Sequence, residues 1–294
     1  MNLSLPRSFP IAKAALAAAV IACTFALACS LTGCASNAAD NGADADNAPS
    51  NTNGKTLRVA MELAYPPFET KDDAGNPEGL AVDFIRDFGA AYGYDVQIEN
   101  TAWDGLIPSL QSDKADLVIS SMTITDERKQ SVDFSDAYAM AQLAILANAD
   151  SGVASIDDLN QPGKKVAVKT GSTGDVYATK NLTNAEIVRL ADESACVTEV
   201  VQGKADGFLY DQLTIYRNHE ANPDTTEAVF IPFQDAEEWG IAVKKGNTEL
   251  LDQLNAFIAQ SKTDGEFDRL TEKYLSEEKK AFDQYGFKWF FDFE

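Results

Sequence analysis

"DLVISSMTITDERKQSVDFSD" occupies residues 116–136. The apolar run Leu117-Val118-Ile119 delivers the hydroxyls of Ser120, Ser121 and Thr123, and then an arginine, Arg128. This arrangement has two readings. In one, a strand stops, a helix starts, and Arg128 is a solvated helix residue pairing with Asp126 or Glu127. In the other, the carboxyl end of a buried strand opens into a pocket for an anion. Ligands of open α/β sheets bind in the crevice outside the carboxyl ends of the strands. The residues that follow the other strands therefore decide between the two.

Strand and helix patterns alternate outward from this stretch. "TLRVAM" (56–61) reads as a buried strand. In "LAVDFIRDFGAAYGYDV", Phe84, Ile85, Phe88 and Tyr92 share one helical face, and Gly93 is a stop signal. "DVQIEN" and "DLVISS" are strands with the short helix "LIPSLQSD" between them. A second series begins with strand "KVAVKT" (165–170) and a helix from Gly174. It continues with strand "AEIVRL", helix "ESACVTEVVQG", strand "GFLYD", helix "QLTIYRN" and strand "AVFIPF". "WGIAVKK" and two helices, "TELLDQLNAFIAQSKTD" and "GEFDRLTEKYL", close the pattern. The fold class is α/β with largely parallel sheets, built as two similar units.

Several strands lead to polar or aromatic groups. "TLRVAM" is followed by Glu62 and Tyr65, "DVQIEN" by Trp103, and "DLVIS" by Ser120, Ser121, Thr123 and Arg128. "KVAVK" ends in Lys169 and leads to Gly171, Ser172 and Thr173 at a helix start; "GFLY" leads to Asp211. Together these supply donors for an anion, acceptors for a cation and flat aromatic faces, which suits a zwitterion carrying a side chain. Each residue also has a plain structural role open to it. Asp211 is placed to cap the following helix, Ser172 and Thr173 to start one, Tyr65 and Trp103 to fill a core, and Glu62 to be an exposed strand end. "GSTG" lacks the lysine of a phosphate-binding loop.

The 294 residues are enough for one large or two medium domains, and 45% hydrophobic content supports a real core. A net charge of −22 argues against nucleic acid or an anionic membrane surface as the main partner. Cys196 and His219 are the only residues of their types beyond residue 34, which excludes an internal disulfide there and disfavours a zinc site or a Ser-His or Cys-His machine. Cys196 reads as a small buried residue and His219 as part of a loop. No catalytic residue, metal or cofactor is expected.

Arg7 and Lys13 precede an uncharged run, Ala14 to Gly33, long enough for a membrane span or a signal-peptide core. Its end, "LTGC" at 31–34, resembles the lipobox of bacterial lipoproteins, with Cys34 as the acylated residue; an uncleaved anchor is the alternative. Both place the remainder outside the cytoplasm. Residues 34–54 have no large apolar side chain and read as a disordered tether.

The chain resembles the family 3 extracellular solute-binding proteins, the amino-acid-binding subunits of ABC importers. The resemblance is carried by "YPPFETKDDAGNPEGLAVDF", "TAWDGLIPSLQSDKADLVISSMTITDERKQSVDFSD", "VAVKTGSTG", "KADGFLYD" and "WGIAVKKGNTELLDQLNAFI", over about residues 55–276. It implies a two-lobe, type II periplasmic-binding-protein-like fold with the ligand between lobes joined by two crossing strands, near 138–142 and 235–239. Lobe 1 is then 55–138 plus 239–294, and lobe 2 is 142–235. Carried over by position, Arg128 takes an α-carboxylate with Thr123 and the amide near Thr173, and Asp211 takes the α-ammonium with the Ser121 carbonyl. Tyr65 and Trp103 wall the side chain, with Glu62 at its end. Lys169 is placed to neutralise Glu62. A basic L-amino acid, arginine or lysine, is the expected ligand, with glutamine second. The expected partners are a permease with its ATPase and, through Cys34, the membrane; the chain itself is expected to be a monomer. Ala81 departs from the acid common at its position, and the tail "SEEKKAFDQYGFKWFFDFE" runs past the usual end. A dehydratase acting on cyclohexadienyl compounds and a sensory domain are the alternatives on the same fold. The intact Arg128 and Asp211 pair argues against the first, and the absence of an attached kinase or channel segment against the second.

Overall fold

The computed structural model describes residues 54–285 and 288–293. The signal-peptide reading, the Cys34 lipidation site and residues 34–53 of the tether lie outside the described residues. Strands Tyr94–Asn100, Lys55–Met61, Leu117–Val118, Ala242–Lys244 and Val132–Phe134 form one sheet in that order. Strands Glu186–Leu190, Lys165–Lys169, Gly207–Asp211, Leu143–Asn148 and Thr226–Val229 form the second.

The sheets are mixed where the sequence suggested largely parallel ones. Lys55–Met61 runs parallel to both of its neighbours, but Ala242–Lys244 is antiparallel to the strands on either side of it. In the second sheet Leu143–Asn148 is likewise antiparallel to both neighbours. These two strands share an origin. Each follows directly on a strand of the short antiparallel pair Ala139–Ala141 and Glu237–Trp239, which links the two sheet-containing lobes. A chain that enters a sheet from the linker runs against the strands that βαβ crossovers have laid parallel.

Both faces of each sheet are covered, which explains the nearly continuous apolar strands. Along Lys55–Met61, Leu57, Val59 and Met61 pack into one core and Ala60 into another. Along Lys165–Lys169, Val166 and Val168 face one side and Ala167 the other. Successive strand side chains point to opposite faces, so the residues in the carboxyl-terminal part of each strand meet a core on one side or the other.

Helix Leu80–Tyr92 buries Phe84, Ile85 and Phe88 and ends at Gly93 in the left-handed conformation, as its pattern predicts. Tyr92 is exposed, though its ring lies 4.9 Å from that of Phe88. Ala81 is fully buried on this helix, a packing role consistent with its lack of charge. Cys196 is buried, and burial pushes its thiol up to about 12. His219 belongs to the last turn of helix Gln212–Ala221 rather than to a loop, its Nδ1 3.2 Å from Thr226 Oγ1. The loop reading rested on the following Asn222-Pro223-Asp224, which ends the helix later than expected. "AVFIPF" is a strand only to Val229.

The C-terminal tail packs on the molecule itself. Helix Ser276–Tyr285 sets Phe282 against Tyr216, at 5.9 Å. Phe290 is fully buried against Phe68 (5.1 Å) and Trp239 (5.5 Å), and its carbonyl accepts from the amide of Met140 at 2.7 Å. The tail thus rests on both linking strands.

Candidate ligand-binding cleft

Arg128 sits in the one-turn helix Asp126–Lys129, whose N-terminus is capped by Thr125. Both opening readings are therefore partly right: a helix does start, but its arginine is partly buried and turned toward the cleft. Nη1 donates to Thr123 O (2.7 Å) and Nη2 to Gly171 O (3.2 Å). Burial pulls its pKa down, opposed first by the charge of Glu237. Of the five N–H groups of a guanidinium, those left over by the two carbonyls can meet a carboxylate.

Facing Arg128 is the start of helix Thr173–Asn181. Gly171 has φ of 74° there, a left-handed conformation that suits glycine, and a Cβ at Gly174 would collide with the Leu209 carbonyl. The two glycines of "GSTG" thus allow a tight turn and a close approach of helix to strand. Ser172 is the N-cap, its Oγ accepting from Asp175 N at 3.2 Å. First-turn amides at such a helix start favour an anion.

Asp211 is buried and caps helix Gln212–Ala221 through Leu213 N (2.9 Å) and Thr214 N (3.1 Å). It also accepts from the hydroxyl of Tyr65 at 2.7 Å, across the cleft. One carboxylate thus serves both the helix cap and a bond across the cleft. Burial raises its pKa, while the bonds from Tyr65 and Thr214 hold it down. Tyr65 stacks on Phe68 and meets Tyr210 and Trp239 edge-on.

Lys169 is fully buried and forms ion pairs with Glu62 and, at 3.0 Å, with Glu193. Burial lowers its pKa, but the two carboxylates outweigh burial and leave it raised. Glu193 Oε1 also accepts from Tyr210 OH at 2.7 Å. Burial raises the pKa of Glu62, against the pull of Lys169. Glu69 is buried too; it accepts from Ser121 Oγ at 3.1 Å, and burial raises its pKa well above the usual carboxylate range. Ser121 itself has φ of 47°, a left-handed conformation unusual for a residue with a side chain. Ser120 Oγ accepts from Glu62 N at 3.0 Å and so steadies the strand end.

Glu62, Tyr65, Trp103, Ser120, Ser121, Thr123, Arg128, Ser172, Thr173 and Asp211 all line one cleft. Lys169 stands behind that lining. Trp103 differs from expectation in its partners: Arg128 Cζ lies 5.2 Å and Lys169 Nζ 5.0 Å from its ring centroid. Its indole already meets two protein cations. Sequence reasoning missed Glu69, Glu193, Tyr210 and Glu237, which also line the cleft. Glu193 was findable, since Ala191-Asp192-Glu193 follows the strand Glu186–Leu190 and the same strand-end rule applies. Glu237 lies in the expected crossing segment 235–239, at the start of strand Glu237–Trp239.

A two-lobe α/β molecule whose inter-lobe cleft sets an arginine and a helix start near a buried carboxylate is a solute-binding protein in build. The chain belongs to the bacterial extracellular solute-binding proteins, family 3, which it matches over residues 57–277. It is 36% identical over 234 residues to a probable histidine-binding protein of Neisseria gonorrhoeae, covering 79% of this chain and 87% of that protein. It is 34% identical to an L-arginine-binding protein of Pseudomonas aeruginosa, covering 81% and 93%. The solved structure of an ancestral arginine-binding protein bound to arginine aligns with a TM-score of 0.70 at 36% identity, covering 76% of this chain and 100% of the other.

Proposed function

We propose that this solute-binding protein takes an L-α-amino acid, arginine or lysine first and glutamine second, and hands it to the permease of an ABC importer. The observation that carries the reading is the charge at the side-chain end of the cleft. Lys169 neutralises one carboxylate, but Glu62 and Glu193 both lie beside it. Glu69, a third carboxyl group lining the same cleft, has its pKa raised by burial, and acidic groups outnumber the one lysine at this end. A carboxylate removed from water favours a positive partner over an unpaired charge, so a cationic side chain fits best there. A relative named for L-arginine agrees with this preference, and one named for histidine agrees with an amino-acid ligand. Arg128 takes the α-carboxylate and Asp211 the α-ammonium. None of these roles requires a reaction, and incubation with prephenate or arogenate should yield no aromatic product.

Calorimetric titration of the purified protein against the common amino acids tests the assignment. Tight binding of glutamate or a small aliphatic amino acid, with none of arginine, lysine or glutamine, would overturn it. The extracytoplasmic location follows the family, and "LTGC" supports a lipid anchor at Cys34. A single acyl chain binds a membrane only marginally. Mass spectrometry of the mature N-terminus should therefore find a multiply acylated Cys34; an unmodified one would refute the anchor.

A further inference from the structure

Glu237 differs from the other acids of the cleft in its place and its partners. It lies on the linking strand Glu237–Trp239, and its Oε2 accepts from both Thr123 Oγ1 and Thr173 Oγ1, each at 2.8 Å. Thr123 follows a strand of the first sheet, and Thr173 opens a helix of the second lobe. Oε1 accepts from Gln234 Nε2 at 2.7 Å. The backbone fixes the approach: Thr123 bridges to Trp239, and Ile124 N donates to Glu238 O at 2.8 Å. One carboxylate thus ties together both lobes and the strand that links them.

These hydroxyls are also the ones beside Arg128, at the end of the cleft suited to an anion. A hydroxyl has a single hydrogen to donate. While both point at Glu237, neither serves a second carboxylate. A ligand carboxylate brought to Arg128 would also stand close to a like charge, which each disfavours.

We propose that Glu237 is a built-in stand-in for the ligand's carboxylate: it clasps Thr123 to Thr173, closing the cleft through protein groups alone, and yields them to the α-carboxylate on binding. The exchange rests on the amino-acid reading above; the clasp does not. The two halves act oppositely on affinity. The clasp pre-closes the lobes and helps any ligand that needs closure, but Glu237 must give up both hydroxyl bonds, and its charge repels a carboxylate ligand in particular. Comparing a carboxylate ligand with its amide separates them, because the closure contribution is common to both and cancels.

The test has two arms, on wild type, Glu237→Gln and Glu237→Ala, with melting curves to confirm folding. In the first, small-angle scattering is recorded without added amino acid. Both variants should have a larger radius of gyration than wild type, with Glu237→Ala the larger, since glutamine keeps an acceptor but loses its charge. An unchanged radius in both overturns the clasp. In the second, L-arginine and L-argininamide are titrated. The affinity ratio of acid to amide should rise about tenfold in Glu237→Gln, the order expected for relief of one charge-assisted conflict. A ratio within twofold of wild type overturns the exchange. Should wild type bind no common amino acid, the functional reading fails, and the scattering arm alone decides the clasp.

Discussion

The two ends of the cleft are built on different plans. At the carboxylate end, Arg128 spends donors on two backbone carbonyls, Thr123 O and Gly171 O, and retains others. At the side-chain end, Lys169 is held between Glu62 and Glu193, with Tyr210 bonded to the same oxygen of Glu193. On the proposed reading, the first end binds through the hydrogen-bonding capacity that Arg128 keeps unspent, and the second selects because acidic groups outnumber its one lysine. Affinity should therefore be concentrated at Arg128, and selectivity at the acidic cluster.

That division can be broken by substitutions, beginning with one that touches neither end. Phe290→Ala removes a fully buried ring packed on Phe68 and Trp239, behind Tyr65. Loss of such a ring costs about 3–5 kcal/mol of stability. Denaturant unfolding should show that loss, while the arginine-to-glutamine affinity ratio stays within about twofold. A changed ratio would mean that selectivity is set by the shape of the aromatic wall. Arg128→Ala should come next, weakening all amino-acid ligands by about 2–5 kcal/mol. Calorimetry should find the loss nearly equal for arginine and glutamine. A loss confined to arginine would place the selecting group at the wrong end.

The sequence made one end of the cleft more legible than the other, for a physical reason. Thr123 and Thr173 closely follow a strand, Asp211 ends one, and Arg128 lies in the short helix after Thr123, and ligands of open α/β sheets bind outside the carboxyl ends of strands. The cluster's charge balance was not readable in the same way. Lys169 was recognisable as a partner for Glu62, but Glu193 reaches it from a separate helix start, and only the packing of Glu186–Leu190 beside Lys165–Lys169 brings it near. Glu237 was hidden for another reason: its role depends on two hydroxyls from different lobes, a meeting no local pattern encodes. The fold was more transparent, since the nearly continuous apolar runs toward the ends of Lys55–Met61 and Lys165–Lys169 already imply sheets covered on both faces. The antiparallel entry strands were not implied, because strand direction depends on how the chain crosses the linker. The aromatic tail was visible as a cluster, but its seat on Met140 and Trp239 was not.

Glu193→Gln is the direct probe of the unbalanced charge. It leaves Lys169 paired with Glu62 and removes one acidic group from that end of the cleft. Arginine and lysine should lose about 1.5–3 kcal/mol, the worth of a hydrogen bond to a charged group, while glutamine loses less. Competition titration measures the difference. Equal losses for arginine and glutamine would show that Glu193 only supports Lys169.

The smallest expected effect concerns Glu69, the third carboxylate near this end, and it is a matter of pH. Burial raises its pKa well above the ordinary glutamate value, more than the bond from Ser121 lowers it, and the charges of Glu62 and Glu193 push the same way. A carboxyl whose folded pKa exceeds its unfolded pKa binds its proton more tightly in the folded state. Below the unfolded value, about 4.3, both states are protonated and nothing depends on pH. Above it the unfolded chain releases the proton first, so stability falls as pH rises, until the folded pKa is passed. Glu69→Gln, which keeps the shape and cannot ionise, should remove this contribution. Thermal melting from pH 5 to 8 should show a flatter profile for the variant, with its relative gain greatest at the alkaline end. A variant whose melting temperature runs parallel to wild type across that range would mean that Glu69 is ionised in both states, and the cluster would then carry one more negative charge.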